Sequence, residues 1–397
     1  MNNDELKRKI VQEAKEIESY VIDTRRQIHM HPETSFEEEA TAKFVEKELS
    51  KIGYNTKRAA KTGIIATLPN LIEGKTTALR ADIDALNVQE ENDISYRSQN
   101  QGKMHACGHD AHTAMLLGAA KILFKHRNQL NGNLKLIFQP GEEGGAGAKK
   151  IIDEGAFDDV DFVFGVHIWG ELPSGIIGLR KGPIFASSDR FRIIITGKGG
   201  HAASPHQTID PISVSADIYD ALQKIVSREI NPFEPRMLAL PKFEGSNASN
   251  IISSQATLQG TLRTLNPKTR EYTINRVKEI TEGYCKAWRC DGKVEFDPMA
   301  YPSVINDDEV VDNIRDILSP IGEINRMKQT MVGEDFAFYL QKTKGAFITL
   351  GTFNKEKGII YPHHHPKFQV DESILWKGTA IYSFLGFYPS FIYESSR

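Results

Sequence analysis

A run of residue types that bind metals, HACGHDAH, occupies residues 105–112, between a predicted strand and a predicted helix. Cys107 and His109 are two residues apart with a glycine between them. In an extended or turning backbone, both side chains can therefore reach one ion. A thiolate and an imidazole are good ligands for zinc-like metals. The run predicts a metal site, with a buried thiol beside a loop histidine as the alternative.

A pair of adjacent carboxylates, Glu142 and Glu143, follows a second predicted strand in the sequence QPGEEGG. In parallel α/β sheets, ligands bind beyond the carboxyl ends of the strands. One carboxylate there can bind a metal while the other accepts a proton from a water molecule that the metal activates. The alternative is a solvated acidic turn, which the apolar strand and the flanking glycines disfavour.

Further imidazoles follow predicted strands or loops. His167 ends the apolar run in FVFGVHIWG, and three histidines, His363, His364 and His365, stand together in YPHHHPKF. A lone histidine at such a position is more often a core residue than a ligand, and adjacent histidines can simply be exposed. Together with the thiolate and the carboxylates, however, they offer about five ligands, enough for two metal ions that share a bridging group.

Other signatures of function are missing from the sequence. There is no HExxH helix, no GxxxxGK[ST] phosphate loop, no GxGxxG after a first strand and no GxSxG nucleophile elbow. The formal net charge is −3 with both signs interspersed, which gives no reason to expect nucleic acid or an anionic membrane as a partner. These absences leave the predicted metal site as the candidate functional feature of the sequence.

The elements that must position these residues alternate between strand and helix. Strand-like runs cover residues 63–68, 76–83, 133–138 and 161–166, and helix-like runs cover residues 111–124 and 147–154. This alternation predicts an α/β domain in which helices flank a mostly parallel sheet.

The pattern changes near Ser187. Strand, helix, strand, strand, helix and strand then follow one another to about Phe296, which is the β-α-β-β-α-β order of a ferredoxin-like module. From about Tyr301 the chain is expected to rejoin the first domain and to end in a helix over residues 373–387. We therefore predict one domain from residues 1–186 and 298–397 with residues 187–297 inserted as a second domain.

The N-terminal segment is charged and has the period of one amphipathic helix, with apolar positions such as Ile10, Ala14 and Val21. A signal peptide needs a continuous apolar stretch there instead, and no run long enough for a membrane span is present. Cys285 and Cys290 fit core or boundary thiols rather than a disulfide framework. We expect a cytoplasmic protein.

Seven motifs together resemble a known family across nearly the whole chain. The chain closely resembles the zinc aminoacylase/carboxypeptidase family, metallopeptidase family M20, and within it amidohydrolase subfamily D, most closely the archaeal thermostable carboxypeptidases. The resemblance begins at RRQIHMHPE and is carried by the ordered motifs ALRADIDAL, MHACGHDAH, QPGEEGG, GVHIWG, GKGGHAASPH, GEDFAFY and HHPKF.

The resemblance implies the metal ligands. The family pattern assigns them to the positions matched here by Cys107, His109, Glu143, His167 and His364. His364 fits best among the three C-terminal histidines because the family places the ligand four residues before a phenylalanine, here Phe368, although His363 and His365 remain alternatives. The implied cofactor is two divalent ions per subunit, with zinc first and manganese or cobalt as alternatives.

The resemblance also implies roles for the carboxylates. Glu142 matches the general base. Asp82 and Asp84 match the family's HxD segment, but Asp82 stands where other subfamilies have histidine, so Asp84 is expected to support the ligands from behind. Asn87 and Ser253 stand where proline is commoner, which can alter the shape of their loops.

The inserted module is, by resemblance, a lid and dimerisation domain, so a homodimer or homotetramer is expected. His201 matches a lid histidine that can stabilise an oxyanion, with a turn residue as the alternative. Asn250 and Arg263 match substrate-contacting positions; a guanidinium suits a substrate carboxylate, but Arg263 could equally be a surface charge.

The function implied is hydrolysis of the amide bond of N-acyl amino acids or of the C-terminal residue of short peptides. The alternatives are a dipeptidase or another amidohydrolase of the same family, and a relative that binds metal or peptide without catalysis.

Overall fold

The computed structural model of the chain describes residues 2–70 and 73–392. Its helices are α1 Asn3–Glu16, α2 Glu18–His29, α3 Glu39–Ile52, α4 His109–Lys125, α5 Glu142–Gly145, α6 Gly147–Asp153, α7 Pro211–Lys224, α8 Pro267–Trp288, α9 Asp308–Leu318, α10 Ala337–Leu340, α11 Leu375–Gly386 and α12 Tyr388–Ile392. Its strands are β1 Asn55–Ala59, β2 Gly63–Thr67, β3 Thr76–Asp82, β4 Asn133–Gln139, β5 Phe162–Pro173, β6 Ile177–Leu179, β7 Gly182–Phe185, β8 Asp189–Thr196, β9 Gly200–His201, β10 Arg236–Glu244, β11 Ile251–Ile252, β12 Gln255–Thr264, β13 Asp291–Phe296, β14 Val304–Asn306, β15 Ile324–Arg326 and β16 Lys344–Phe353.

The chain divides into two compact units. The first unit consists of Met1–Gly182, Ile305–Lys328 and Phe338–Arg397, and the second of Pro183–Val304 and Gln329–Ala337. Each unit has its own cluster of buried apolar side chains. The predicted boundaries at residues 186/187 and 297/298, and the roles of catalytic domain and lid, stay predictions.

The first unit is built on a sheet that, in the described part of the chain, has eight strands in the order β1-β2-β4-β3-β5-β16-β6-β15. At its centre β4, β3, β5 and β16 run parallel to one another. Antiparallel pairs lie toward the edges, where β1 pairs with β2, β2 with β4, and β6 with β16. The predicted α/β fold with a mostly parallel sheet is confirmed, and β16 adds a central strand that sequence periodicity had not singled out.

Helix α4 lies in the core of the first unit. Its residues are apolar almost all round, and nearly all of them are buried, as expected for a helix covered on every side. It packs against α2, α3, α11 and β3. Gly118 allows this close packing, because a Cβ there would lie 2.8 Å from Val21 Cγ2 and 2.9 Å from Thr379 Oγ1.

The N-terminal segment forms two helices where the sequence predicts one. The break falls at Ile17, whose φ of −98° and ψ of 11° are not helical. The physical reason is tertiary packing: α1 packs chiefly against α11, whereas α2 packs against α4. The predicted apolar stripe is nevertheless correct, since Ile10, Ala14 and Val21 are fully buried.

The second unit contains a separate antiparallel sheet. Among the described residues its order is β10-β12-β8-β13, and every neighbouring pair is antiparallel. In chain order this is 2-3-1-4, with α7 and α8 as the two crossover helices. The predicted ferredoxin-like α+β module is therefore confirmed.

Two smaller sequence expectations concern membranes and thiols. Within residues 2–70 and 73–392, no helix has both the length and the apolar character needed to cross a membrane. All three cysteines are free thiols, with Cys285 buried and Cys107 and Cys290 partly buried. Cys285 and Cys290 thus lie in the core of the second unit and at its boundary, as the sequence predicts.

Candidate metal centre

The metal-binding residue types gather beyond the carboxyl ends of the central parallel strands. Strand β3 ends at Asp82, and β4 is followed by the turn of residues 141–145, here called the carboxylate turn. Helix α4 begins with His109, directly after Cys107 and Gly108, and Gly108 adopts a left-handed φ of 87°. This edge of a parallel sheet is where α/β proteins bind ligands.

The five side chains predicted as ligands come together there. Donor atoms of Cys107, His109 and Glu143 lie within 4.8 Å of one another. The Sγ atom of Cys107 is 3.5 Å from His167 Nε2, and His364 Nε2 is 3.1 Å from Glu143 Oε1. Two ligands of one tetrahedral zinc ion stand about 3.3–3.6 Å apart, so the separation between Cys107 Sγ and His167 Nε2 suits atoms that share an ion.

Backbone contacts decide which ring nitrogen of each histidine faces the cluster. His109 Nδ1 lies 2.8 Å from the carbonyl oxygen of Asp84, and His167 Nδ1 lies 2.5 Å from that of Ile168. A carbonyl oxygen only accepts, so both Nδ1 atoms donate, and in the neutral form that binds a metal each ring keeps a lone pair on Nε2. Such a contact behind a ring is the usual way in which a metal-binding histidine is oriented.

Among the described residues, two candidate metal-ligating atoms of the cluster, His109 Nε2 and Glu143 Oε1, are buried without a hydrogen-bond partner. Glu143 Oε1 is near His364 but lacks hydrogen-bond geometry. Burial of His109 opposes its charge, yet the carboxylates of Asp82 and Asp84 raise its pKa to about 10. The region therefore favours positive charge, and a thiolate, imidazoles and a carboxylate form a set that suits zinc-like divalent ions.

Asp84 supports this set from behind. Its Oδ1 accepts the backbone N–H of Glu142 at 3.1 Å, and its Oδ2 accepts that of Glu143 at 3.0 Å. Oδ1 also lies 3.2 Å from His109 Nδ1. One carboxylate thus connects the first turn of α4 to the carboxylate turn, which is the supporting position that the resemblance implies for Asp84.

Asp82 and His112 also belong to a cluster with His109 and His167, but their polar atoms are engaged. His112 Nε2 accepts the N–H of Ile168 at 2.8 Å, so its proton is on Nδ1, which donates to Asp82 Oδ1 at 2.5 Å. Asp82 Oδ2 is paired with Arg80 Nη1 at 2.6 Å. His112 therefore has no lone pair left for a metal and acts as a support between β3 and β5.

The three C-terminal histidines differ sharply in their surroundings. The buried His363 accepts the Gly170 N–H through Nε2 at 3.0 Å, so its other nitrogen carries the proton, and burial lowers its pKa to about 3. His365 accepts the Lys367 N–H through Nδ1, and its ring stacks on another side chain at 4.4 Å. His364 alone of the three points its Nε2 at Glu143.

Backbone geometry also favours His364. It has a left-handed φ of 66°, which is uncommon for a residue with a side chain and is typically kept at functional positions. Its N–H donates to the carbonyl oxygen of Ala106 at 2.9 Å. The C-terminal loop is thus attached to the residue that precedes Cys107.

A buried ion-pair network anchors the first turn of α4. Asp110 Oδ2 lies 2.7 Å from Arg25 Nε and 2.7 Å from His29 Nδ1, both from α2. Although burial opposes its charge, these partners hold the pKa of the Asp110 carboxyl well below its usual range. The position of His109 therefore depends on α2, a link that no local sequence pattern indicates.

Glu142, the predicted general base, is 7% exposed. The Asp84 carboxylate accepts both the backbone N–H of Glu142 and that of the next residue, Glu143. The carboxylate turn that carries it is not regular helix, because Glu143 has a ψ of 74° and Gly144 a φ of 81°. The predicted proton acceptor and a candidate ligand thus occupy consecutive positions on a sharply bent backbone.

The remaining predicted site residues belong to the second unit. His201, on β9, is exposed and accepts the Ala203 N–H through Nδ1 at 3.0 Å. It pairs with Ile251 of β11, and the carbonyl oxygen of the exposed Asn250 accepts the Ala202 N–H at 3.1 Å. His201 and Asn250 are therefore neighbours in this unit.

Arg263 lies on β12. Burial and the neighbouring Arg190 lower its pKa, and Asp189 opposes this effect only partly. The Asp189 carboxylate is itself engaged by Arg270, with Nη2 to Oδ1 at 2.6 Å. An anion near Arg263 would therefore stabilise its charge.

The sequence compares with known proteins along most of its length. Residues 78–385 match the model of peptidase family M20/M25/M40. Thermostable carboxypeptidase 2 of Saccharolobus solfataricus is 40% identical over 385 residues, 96% of this chain and 98% of the relative. N-acetyl-L-cysteine deacetylase of Bacillus subtilis is 38% identical over 384 residues, 96% of this chain and 88% of the relative.

Solved structures are similar over the same extent. A crystal structure of a Bacillus subtilis protein, titled a dinuclear metal binding peptidase from the M20 family, has a TM-score of 0.83 at 33% identity and covers 94% of this chain and 98% of that chain. A protein from methicillin-resistant Staphylococcus aureus has a TM-score of 0.91 at 33% identity, over 96% of this chain and 99% of that chain.

Proposed function

The chain belongs to the peptidase family M20/M25/M40, and from this premise we propose that it releases free amino acids from N-acyl amino acids or from the carboxyl ends of short peptides. The family expected from the motifs is confirmed, and so is the coarser function, that of an enzyme that hydrolyses amide bonds. Relatives named carboxypeptidase and deacetylase support both substrate types, which share an amide bond next to a free carboxylate.

The observation that carries this proposal is the gathering of one thiol, three imidazoles and one carboxylate around the carboxylate turn. The residues that would hold two divalent ions are Cys107, His109, Glu143, His167 and His364. A similar protein titled as a dinuclear metal binding peptidase supports the count of two ions. Zinc is the ion we propose, with manganese or cobalt as alternatives for such ligands.

When bound, the ions would polarise the scissile carbonyl and acidify a water molecule. Glu142 accepts a proton from the attacking water and passes it to the departing amine. The backbone contacts of Asp84 keep Glu142 and Glu143 in fixed orientations during this transfer.

The second unit supplies the substrate contacts in this proposal. His201 stabilises the oxyanion that develops on the scissile carbonyl. Arg263 binds the free carboxylate of the substrate, and Asn250 contacts the substrate beside His201. The unit acts as a lid and as the surface for assembly into a homodimer or homotetramer.

Metal removal and replacement test the function. The protein is stripped with a chelator, reloaded with zinc, manganese or cobalt, and assayed for amino acid release from N-acetyl, N-benzoyl and N-carbobenzoxy amino acids and from short peptides. We expect activity to return with at least one metal, and kcat/KM to rank the two substrate types. A folded protein that binds metal and releases no amino acid from any of them contradicts the proposal.

Glu142→Gln is the matched control for this assay. Because the substitution removes the proton acceptor and leaves the ligands, we expect metal content to stay the same and turnover to fall by about 10²- to 10⁴-fold. Wild-type turnover in this variant would refute the role of Glu142.

A further inference from the structure

The segment that follows α2, residues 33–38, lies beside the carboxylate turn. Thr34 forms a parallel bridge with Ala85, and the Ala85 N–H donates to the carbonyl oxygen of Glu33 at 2.8 Å. The segment therefore runs alongside the backbone that carries Asp84. From this position, three of its side chains reach the Asp84–Glu143 region.

Ser35 connects Asp84 to the backbone of Glu143. Its hydroxyl donates to Asp84 Oδ2 at 2.7 Å and lies 3.3 Å from the carbonyl oxygen of Glu143. The same Oδ2 atom accepts the Glu143 N–H. Both polar backbone groups of Glu143 are thus held by a small network made of Ser35 and Asp84.

Glu38 holds the other end of the turn. Its Oε1 accepts the Gly141 N–H at 3.0 Å, and its Oε2 accepts the hydroxyl of Thr62 at 2.5 Å. The side chain is fully buried. The peptide group between Pro140 and Gly141, one residue before Glu142, is therefore fixed by a carboxyl group from a distant part of the chain.

Phe36 covers the turn between these two contacts. A Cβ on Gly141 or on Gly145 would lie 2.6 Å or 2.5 Å from its ring atoms, so the ring rests on both glycines. Lys150 Nζ lies 3.4 Å from the ring centroid. Phe36 itself has a φ of 63°, a left-handed conformation that tends to persist where the surrounding structure requires it.

The bent carboxylate turn needs such outside contacts, because its backbone dihedrals do not allow continuous helical hydrogen bonding. We propose that Ser35 and Glu38 are positioning residues for the hydrolytic reaction, which hold the backbone on the two sides of Glu142 and thereby fix its distance from the Glu143 ligand. This inference rests on the proposed function for the role of Glu142.

The test compares removal of each contact with conservative replacement. Ser35→Ala and Glu38→Leu remove the contacts, whereas Ser35→Thr keeps a hydroxyl and Glu38→Gln keeps a carbonyl acceptor for the Gly141 N–H. Thr34→Ala is the matched control, because the Thr34 hydroxyl donates to the exposed Glu37 and not to the turn. Near-ultraviolet circular dichroism of every variant confirms folding.

Zinc affinity is measured first, by competition with a chelator, followed by kcat and KM on the best substrate. For Ser35→Ala and Glu38→Leu we expect zinc affinity and kcat to fall by about 10- to 100-fold, with KM within about twofold of wild type because the substrate contacts of the proposal lie elsewhere. Ser35→Thr and Glu38→Gln should recover most of both losses, and Thr34→Ala should match wild type.

Two results would overturn the inference. One is a Ser35→Ala protein whose zinc affinity and kcat equal those of Thr34→Ala. The other is a loss of zinc affinity and kcat in Ser35→Thr and Glu38→Gln that is as large as in Ser35→Ala and Glu38→Leu, which would indicate a packing role only. If the wild type releases no amino acid, the proposed function fails, while the zinc affinities of Ser35→Ala and Thr34→Ala still decide whether the contacts position Glu143.

Discussion

At the scale of single residues, the neighbours of each imidazole decide whether it can bind a metal. His109 and His167 donate through Nδ1 to backbone carbonyl oxygens, so their neutral rings keep a lone pair on Nε2. His112 and His363 accept backbone N–H groups through Nε2 and have none left. Four rings of identical chemistry thus divide into candidate ligands and supports through single hydrogen bonds.

The C-terminal histidines allow a direct test of this rule. We expect His364→Ala to weaken metal binding by more than about 100-fold, because losing a ligand should cost at least as much as losing a contact behind one. His365→Ala should leave metal binding unchanged, since that ring stacks on Tyr361 and its Nδ1 accepts the Lys367 N–H. Metal content after dialysis against a chelator measures both, and equal losses in the two variants would refute the assignment.

Glu38 gives a prediction for pH. Burial, assisted by the nearby Asp84, raises the pKa of Glu38 to about 7 from an ordinary value of 4.5, despite the Thr62 hydrogen bond. Because the pKa of Glu38 is higher in the folded state than in the unfolded chain, the contribution of its protonated form to the free energy of unfolding is fully present below pH 4.5. It is lost as pH rises through about 7.

The side chain in the Glu38→Gln variant cannot ionise, so this variant keeps the stability that the wild type loses at high pH. At pH 8 we expect its free energy of unfolding to exceed that of wild type by up to about 3 kcal/mol, from about 1.4 kcal/mol per pKa unit. The difference should vanish near pH 4.5. Urea unfolding at several pH values measures it, and a difference that does not depend on pH would contradict the prediction.

At the scale of elements, the central strands separate where the site begins. Strands β3 and β5 pair only as far as Arg80 and Gly165. Beyond that point the buried Tyr382 of α11 lies between them, since its hydroxyl donates to the Arg80 carbonyl oxygen at 2.7 Å and accepts the Val166 N–H at 3.2 Å. A helix on one face of the sheet thus completes the hydrogen bonding that the strands lose on opening toward the ligands.

Tyr382→Phe should test this element contact. The ring is retained, so the expected cost is that of lost buried hydrogen bonds, about 1–2 kcal/mol in the free energy of unfolding. Tyr272→Phe is a suitable control, because the exposed Tyr272 hydroxyl donates to Glu229 and its loss should cost no more than about 0.5 kcal/mol. Guanidinium unfolding measures both, and equal costs would argue against the role of Tyr382.

At the scale of the whole molecule, all five candidate ligands belong to the first unit, and they come from α4, β5, the carboxylate turn and two loops far apart in sequence. Metal binding would therefore connect segments of the first unit that lie far apart in the sequence. The second unit has its own sheet and its own buried cluster. Stabilisation by metal is accordingly expected in the first unit.

Chelation measures this effect. At a free metal concentration of about 100 times Kd, one bound ion stabilises the folded state by about 2.7 kcal/mol, which raises the melting temperature of a unit of this size by about 5–10 °C. We expect calorimetry to show this shift in the wild type and a smaller one in His364→Ala. An unchanged melting temperature after chelation would contradict the prediction.

The sequence by itself determined the elements and the candidate residues. Strand and helix periods are local properties of neighbouring side chains, so the parallel sheet, the ferredoxin-like module and helix α4 could all be predicted. The thiol, carboxylates and histidines next to those elements were visible as candidates, and the family resemblance selected five ligands and Glu142 from among them. The division of the N-terminal segment into α1 and α2 was not predictable, because it follows from packing against α11 and α4.

Only the tertiary structure decided how the candidates differ. His363, His364 and His365 are chemically identical in the sequence, and their partners Gly170, Glu143 and Lys367 separate them only once the chain has folded. The same holds for Ser35 and Glu38, which are more than 100 residues from the turn they contact. Such contacts depend on the relative placement of distant segments, and no local period or composition records that placement.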